Sequence, residues 1–363
     1  MKKIGLVVNP IAGIGGRAAL KGSDGELSRR AMEFGEVSPA PRRTVESLQE
    51  ISYANIEFEI LTYPSAMGEN EAAECGYRPT VFGHIGEETT AEDTKRAVRE
   101  MMEHGAELIV FAGGDGTARD IMEIAGDRFP VLGIPAGVKM QSGIFAINTK
   151  LAGRLCVKFL KGQTSTQKME VVDYDMKGNL RLFGYMLVPY DQNIIQGTKS
   201  YVPSEEGDEQ AIAAGIIEDI SDEYAYIIGP GMTAKSVPES LGLPYTLLGV
   251  DVIRNKHLFI RDANEKQLLD VAERFPSKIV IGIVGGQGFL LGRGNQQISP
   301  NIIRKIGRDN LIVVATEQKI LSLHGRSLLV DTGDHELDET LIGYIRVVTG
   351  YRRSAVCKVA QSP

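Results

Sequence analysis

Leu108-Ile109-Val110-Phe111-Ala112-Gly113-Gly114-Asp115-Gly116-Thr117-Ala118-Arg119-Asp120 is the stretch on which the fold turns. Leu108 to Ala112 is an apolar run of strand length, three glycines crowd around one carboxylate, and a helical pattern starts at Thr117. A strand enters, the backbone turns sharply, and a helix leaves. Glycine serves where the backbone takes positive φ or comes close to a ligand, and a helix start offers N–H groups with no partner inside the helix. Such a turn suits a phosphate. Asp115 stands in the middle of it, where a bare carboxylate repels phosphate. The residue makes sense there if it accepts a proton from an attacking hydroxyl or holds Mg²⁺. A plain strand-to-helix turn, with an Asx hydrogen bond from Asp115, is the alternative.

On both sides of this loop, strands and helices alternate. Upstream, Thr89-Thr90-Ala91-Glu92 reads as a capping box, and Ala97, Val98, Met101 and Met102 follow at helical spacing up to Gly105. Asn55 to Tyr63 and Val81 to His84 read as strands. The first strand, Ile4 to Val8, runs into Asn9-Pro10 and a loop with Gly13, Gly15 and Gly16. This is a second candidate phosphate cradle, since successive N–H groups form an anion nest. Gly22 to Arg43, with four arginines and weak periodicity, is a long excursion that orders on substrate or forms part of an interface. Downstream, Val131 to Ile134 is a strand ending in Pro135-Ala136-Gly137, and Lys139 follows where a cation can offset transferred phosphate. Such alternation argues for a parallel sheet with helices on both faces and ligands at the carboxyl ends of its strands.

From about Ser165 the pattern changes. Met169 to Met176 and Leu180 to Pro189 flank the turn Lys177-Gly178-Asn179, a hairpin that opens an antiparallel β region. Ser204 to Gln210 reads as an exposed acidic loop. Two more strand-to-glycine turns follow, Gly229-Pro230-Gly231 and Gly285-Gly286-Gln287-Gly288, with Gly292-Arg293-Gly294-Asn295-Gln296-Gln297 close behind. Amides such as Asn295 and Gln296 donate and accept at once, which suits hydroxyls and base edges. Asp251, inside an apolar strand, needs a partner: an arginine, or a ribose.

The formal charge of −7 over 363 residues argues against nucleic-acid binding by bulk charge. Cys75, Cys156 and Cys357 lie far apart, with neither zinc nor disulfide spacing, and the five histidines show no ligand spacing, so no metal ligand is assigned directly. No apolar run reaches membrane length, which points to a cytoplasmic protein.

Gly113-Gly114-Asp115-Gly116-Thr117 after an apolar strand resembles the signature loop of the superfamily that joins NAD kinases, diacylglycerol and sphingosine kinases, and 6-phosphofructokinases. Within it, the chain is similar over nearly its full length to the predicted ATP- or polyphosphate-dependent NAD kinases, including those encoded beside acetoin catabolism enzymes. Asn9 to Gly16, Gly133 to Met140 and Gly292 to Pro300 carry the likeness as well. Where the lipid kinases carry Gly-Thr-x-Asn-Asp, this chain has Gly137-Val138-Lys139-Met140-Gln141-Ser142, which counts against a lipid acceptor. The Asn-Glu pair with which the canonical-length NAD kinases bind the nicotinamide nucleotide is not placed in this sequence, which leaves the acceptor open.

The resulting expectation is an α/β protein: a doubly wound parallel-sheet domain over residues 1–160, then a β-rich substrate domain over 161–363 whose C-terminal segment packs back on the first, with the active site in the cleft between them. By resemblance the reaction is phosphoryl transfer from ATP, or another donor, to the ribose 2′-hydroxyl of NAD, with Mg²⁺ on the phosphates. Asp115 is the catalytic residue, and Asn9, Gly13, Gly15, Gly16, Gly113, Gly114, Gly116, Thr117 and Lys139 bind phosphate or nucleotide. Asp251, Gly286, Asn295 and Gln296 bind the acceptor, and the family implies a homo-oligomer that takes small molecules, not nucleic acid or membrane. The alternatives are a kinase for a lipid, sugar or other nucleoside, and a non-catalytic nucleotide-binding regulator.

Overall fold

The computed structural model describes residues 1–14, 37–86, 88–138, 140–174, 180–191, 194–195, 206–284, 288–323 and 325–361. Gly15, Gly16, Lys139, the Lys177-Gly178-Asn179 turn, Gly286 and most of the Gly22 to Arg43 excursion lie outside the described residues. The chain divides into two compact units, one holding the described residues up to 195 and the other those from 206 to 361.

The first unit begins with β1 (Lys2–Val8), α1 (Ala40–Ser52), β2 (Phe58–Thr62), α2 (Glu69–Glu74), β3 (Thr80–Val81) and α3 (Ala91–Glu103). It continues through β4 (Leu108–Gly113), α4 (Asp115–Ala125), β5 (Val131–Pro135), α5 (Thr149–Leu160) and the antiparallel hairpin of β6 (Ser165–Tyr174) and β7 (Leu180–Tyr190). Five strands form one parallel sheet in the order β3-β2-β1-β4-β5. Every residue of β4 and β5 is buried, as expected of central strands covered on both faces. The chain winds outward from β1 through β2 to β3, then returns through α3 to β4 beside β1. Right-handed crossovers therefore put the helices of the two halves on opposite faces. The order reverses between β1 and β4, where a crevice opens outside the strand ends.

Two local expectations shift by a residue or two. The capping box at the start of α3 is built by Thr90 and Asp93, not Thr89 and Glu92: the Asp93 carboxylate accepts from the Thr90 N–H at 2.8 Å. Helix α4 starts at Asp115, two residues before Thr117, because Gly114 takes the extended backbone of an N-cap residue.

The second unit opens with α6 (Glu206–Glu218), β8 (Ala225–Ile228), α7 (Met232–Ser240), β9 (Asp251–Arg254), β10 (His257–Ile260), α8 (Glu265–Arg274) and β11 (Ser277–Gly282). It closes with β12 (Phe289–Leu291), α9 (Pro300–Ile306), β13 (Leu311–Val314), α10 (Glu317–Leu321), β14 (Leu328–Val330), α11 (His335–Leu341), β15 (Gly343–Gly350) and β16 (Arg353–Gln361). Its nine strands run β10-β9-β8-β11-β13-β15-β16-β14-β12. The region is β-rich but not antiparallel throughout. Strands β8, β11, β13 and β15 are mutually parallel, as are β16, β14 and β12, and the two sets meet in the antiparallel pair β15–β16. The strand alternation splits its apolar residues between two cores: Ala225, Ile227, Ile279 and Ile281 point into one, and Tyr226, Ile228 and Val280 into the other. The acidic stretch that reads as a loop from Ser204 is helical from Glu206, because Ile212, Ala213 and Ile216 fall at helical spacing and are buried.

Candidate active site

At the reversal point between β1 and β4, three strand-end loops of the first unit interlock. Asn9, just past β1, ties the first two: its N–H donates to Ala112 O at 3.0 Å, its Oδ1 accepts from the Ile11 N–H, and its Nδ2 donates to Thr117 Oγ1 at 2.9 Å. The loop after β5 is joined to β4 through Gly113, whose carbonyl accepts from both the Ala136 and Gly137 N–H groups at 3.0 Å. Glycine is required at two of these contacts. Gly13 has φ +77°, and a Cβ there would lie 2.1 Å from Ala136 O; a Cβ on Gly137 would lie 2.7 Å from the Cα of Gly114. Gly116 faces the other way, with nothing within 4 Å of a built Cβ. Gly114, the N-cap residue of α4, has no side chain with which to cap the first turn, and Gly116 is exposed, so this helix start offers N–H donors and the positive end of its dipole.

Asp115 sits at the first position of α4 with 5% of its surface exposed. Its Oδ2 accepts from the Gln141 N–H at 2.6 Å and its Oδ1 from the Ser142 N–H at 3.1 Å. Burial pushes the carboxyl up to about 6; hydrogen bonds from Ser142 and Gln141 pull it back, and the charge of Asp173 adds to the rise. A carboxyl poised near neutrality is suited to taking a proton, since it is ionised at working pH and still basic. Strand β6 supplies the surroundings: the Tyr174 hydroxyl lies 3.5 Å from Gln141 Nε2, and Asp173 pairs with Arg119, one turn along α4, at 3.1 Å. The Tyr174 hydroxyl is raised by burial and by the charges of Asp115 and Asp173.

The expected residues of the first unit thus come together: Asn9, Gly13, Gly113, Gly114, Asp115, Gly116 and Thr117 share one edge. Thr117, 4% exposed, accepts from Asn9, and the N-cap position of α4 is taken by Gly114, which has no capping side chain. Sequence reasoning missed Gln141 and Ser142, which act through backbone N–H groups that leave no mark on residue type. It also missed Arg43, whose Nη1 donates to Pro135 O at 2.6 Å and so sets a guanidinium beside the same loops.

Among the described candidates of the second unit, Asp251 is not brought together with Asn295 and Gln296. Asp251 is fully buried: Oδ2 takes the Lys235 ammonium at 2.6 Å and the Thr246 N–H at 2.8 Å, and Oδ1 takes the Asp262 N–H at 3.0 Å. Its partner is a lysine, and no face of the carboxylate is left for a ribose. The Lys235 ammonium is itself lowered, chiefly by burial. Asn295 is spent on its own loop, accepting from the Gly292 N–H and donating to Leu290 O, both at 2.9 Å. Gln296, beside it, is half-buried. Strand β12 runs against β8, so Asn295 and Asp251 lie at opposite edges of their sheet. A different polar chain stands at the Asp251 edge: the Lys319 ammonium donates to Thr233 Oγ1, which donates to buried Glu209 at 3.0 Å.

No curated protein matches the chain. Among solved structures, one described as a diacylglycerol kinase from Bacillus anthracis str. Sterne is 16% identical over 47% of this chain, with a TM-score of 0.26. This chain spans only 42% of that protein. Another structure so described, from the same organism, is 15% identical over 57% of this chain and 73% of its own, also at a TM-score of 0.26. Overlaps this slight carry no argument. The sequence profile of the ATP-NAD kinase N-terminal domain matches residues 4–163, which contain the interlocked loops, and that of the ATP-NAD kinase C-terminal domain matches residues 221–359. Both halves of one family's architecture follow each other in order, and the chain belongs to the ATP-NAD kinase family.

Proposed function

We propose that this chain phosphorylates the ribose 2′-hydroxyl of NAD, giving NADP, with ATP as the donor. The observation that supports the reading is the Asp115 carboxylate, buried, raised to about 6 and fixed by two backbone N–H groups at the strand-order reversal of a domain that the ATP-NAD kinase profile matches. In this reading the uncapped start of α4 and the glycine loops hold the donor phosphates, and Arg43 and Lys139 offset their charge. Asp115 takes the proton of the attacking hydroxyl, whose oxygen bonds to the transferred phosphorus as the nucleoside diphosphate leaves.

Among the described residues no group of three His, Cys, Asp or Glu side chains could hold a metal ion. In this reading Mg²⁺ would be carried mainly by the donor phosphates, with Asp115 as the carboxylate at the cradle, and would supply neutralisation of phosphate charge. A cytoplasmic homo-oligomer goes with the family reading; among the described residues no helix is long and apolar enough to cross a membrane.

The test is incubation with Mg²⁺, ATP and a panel of acceptors, NAD, nucleosides, inositol and diacylglycerol, followed by mass spectrometry. NADP that disappears with Asp115→Asn supports the proposal. A different phosphorylated product moves the acceptor, and binding without transfer from ATP, GTP or polyphosphate overturns the enzyme.

A further inference from the structure

Helix α4 fixes the backbone of Asp115, but the direction of its carboxylate is set from outside the helix by the Gln141 and Ser142 N–H groups. What fixes those two groups is Ser142. Its side chain is fully buried and clasped at both ends by one residue: its hydroxyl donates to Val172 O at 3.0 Å and accepts from the Val172 N–H at 3.0 Å. Val172 can offer both groups because β6 has one ladder partner, β7, so alternate residues of β6 turn their N–H and C=O away from the hairpin; Glu170, two residues earlier, likewise accepts from the Gly143 N–H at 3.0 Å. Next along β6 stand Asp173, paired with Arg119 of α4, and Tyr174, near Gln141.

We infer that Ser142 is a positioning residue, through which the outward-facing backbone of β6 aims the Asp115 carboxylate at the acceptor hydroxyl. The inference rests on the kinase reading above and adds to it a role for the β6–β7 hairpin, which carries no residue of the glycine cradle. A misplacement of about 1 Å can cost roughly a hundredfold in rate. Loss of the clasp should therefore appear in turnover and not in donor affinity. The charged and titratable groups facing Asp115 in this account are Asp173 and Tyr174 of β6 and, through Asp173, Arg119 of α4.

The experiment compares wild type, Ser142→Ala and Ser142→Thr by steady-state kinetics with the donor varied. Ser142→Ala is expected to lower kcat about 10- to 100-fold with the donor KM within about twofold. Ser142→Thr, which keeps the hydroxyl, should restore most of the lost kcat. Wild-type kcat in folded Ser142→Ala, or a donor KM that rises in step with the fall in kcat, overturns the inference. If the alanine variant melts below the assay temperature, Ser142→Thr alone decides: a kcat near wild type supports the assignment, and a kcat lowered together with a raised donor KM overturns it. Turnover retained by Asp115→Asn would sink the kinase reading itself, whatever Ser142 does.

Discussion

The Asp115 carboxyl carries its cost and its use in the same physics. Burial raises it to about 6 from an ordinary value of about 3.9. The folded state therefore binds a proton that the unfolded chain has already released between those values, and stability contributed by this group falls as pH rises through that window. Above pH 6 the cost is complete, of order 3 kcal/mol from the separation of the two values. Asp115→Asn should recover part of it, since its amide accepts from only one of the two N–H groups. Thermal unfolding at pH 7.5 is expected to show a variant at least as stable as wild type, with a flatter dependence between pH 4 and 6. Its turnover should fall by about two orders of magnitude or more, the usual worth of a positioned base. For the wild-type enzyme, kcat/KM should rise between pH 5 and 7 with an apparent value near 6, and a profile flat over that range would remove Asp115 as the base.

Loops, not helices or strands, hold the cradle, and they do so by backbone approach. Gly137 and Gly114 are so close that a Cβ on the former would meet the latter's Cα at 2.7 Å. Gly137→Ala must therefore push the β5 loop away from the β4 loop, straining the hydrogen bonds from Ala136 and Gly137 to Gly113 O. The expected outcome is a donor KM raised about tenfold or more, with a stability loss of about 1–3 kcal/mol, the range for overpacking a tight contact. Gly116→Ala is the contrast, because nothing stands within 4 Å of its Cβ. It should fold as wild type, so any loss it shows by calorimetric titration of the donor reports on ligand approach to that backbone.

The two compact units predict separable responses to mutation. In the second, Asp251 and Lys235 form an ion pair with 0% and 1% of their side chains exposed. Asp251→Ala leaves an ammonium buried with no carboxylate partner, a loss of about 3–5 kcal/mol. Amide exchange should then quicken in β8, β9 and α7, which surround the pair, while protection in β1, β4 and α4 stays as in wild type. A loss of protection spread evenly through both units would show that they unfold together.

Alternating apolar runs and glycine turns were enough to order the first unit as a parallel α/β sheet and to single out Gly113 to Thr117 as a candidate site, because β4 is apolar along its whole length and glycine has few other reasons to crowd around a carboxylate. The ends of elements were less legible: Thr89 and Thr90 both fit a cap, and only the reach of the Asp93 carboxylate to Thr90 chooses between them. In the second half, residue types gave strands but not their partners, since period-two alternation looks the same in parallel and antiparallel pairs. Asn295 and Asp251 looked alike as polar candidates in sequence. Folding assigned one to its own loop and the other to a buried lysine, because satisfying a buried polar group is a matter of which donors arrive beside it. The same holds for Ser142 and Gln141, whose effect on Asp115 passes through backbone N–H groups that every residue but proline carries and that tertiary contact alone can aim.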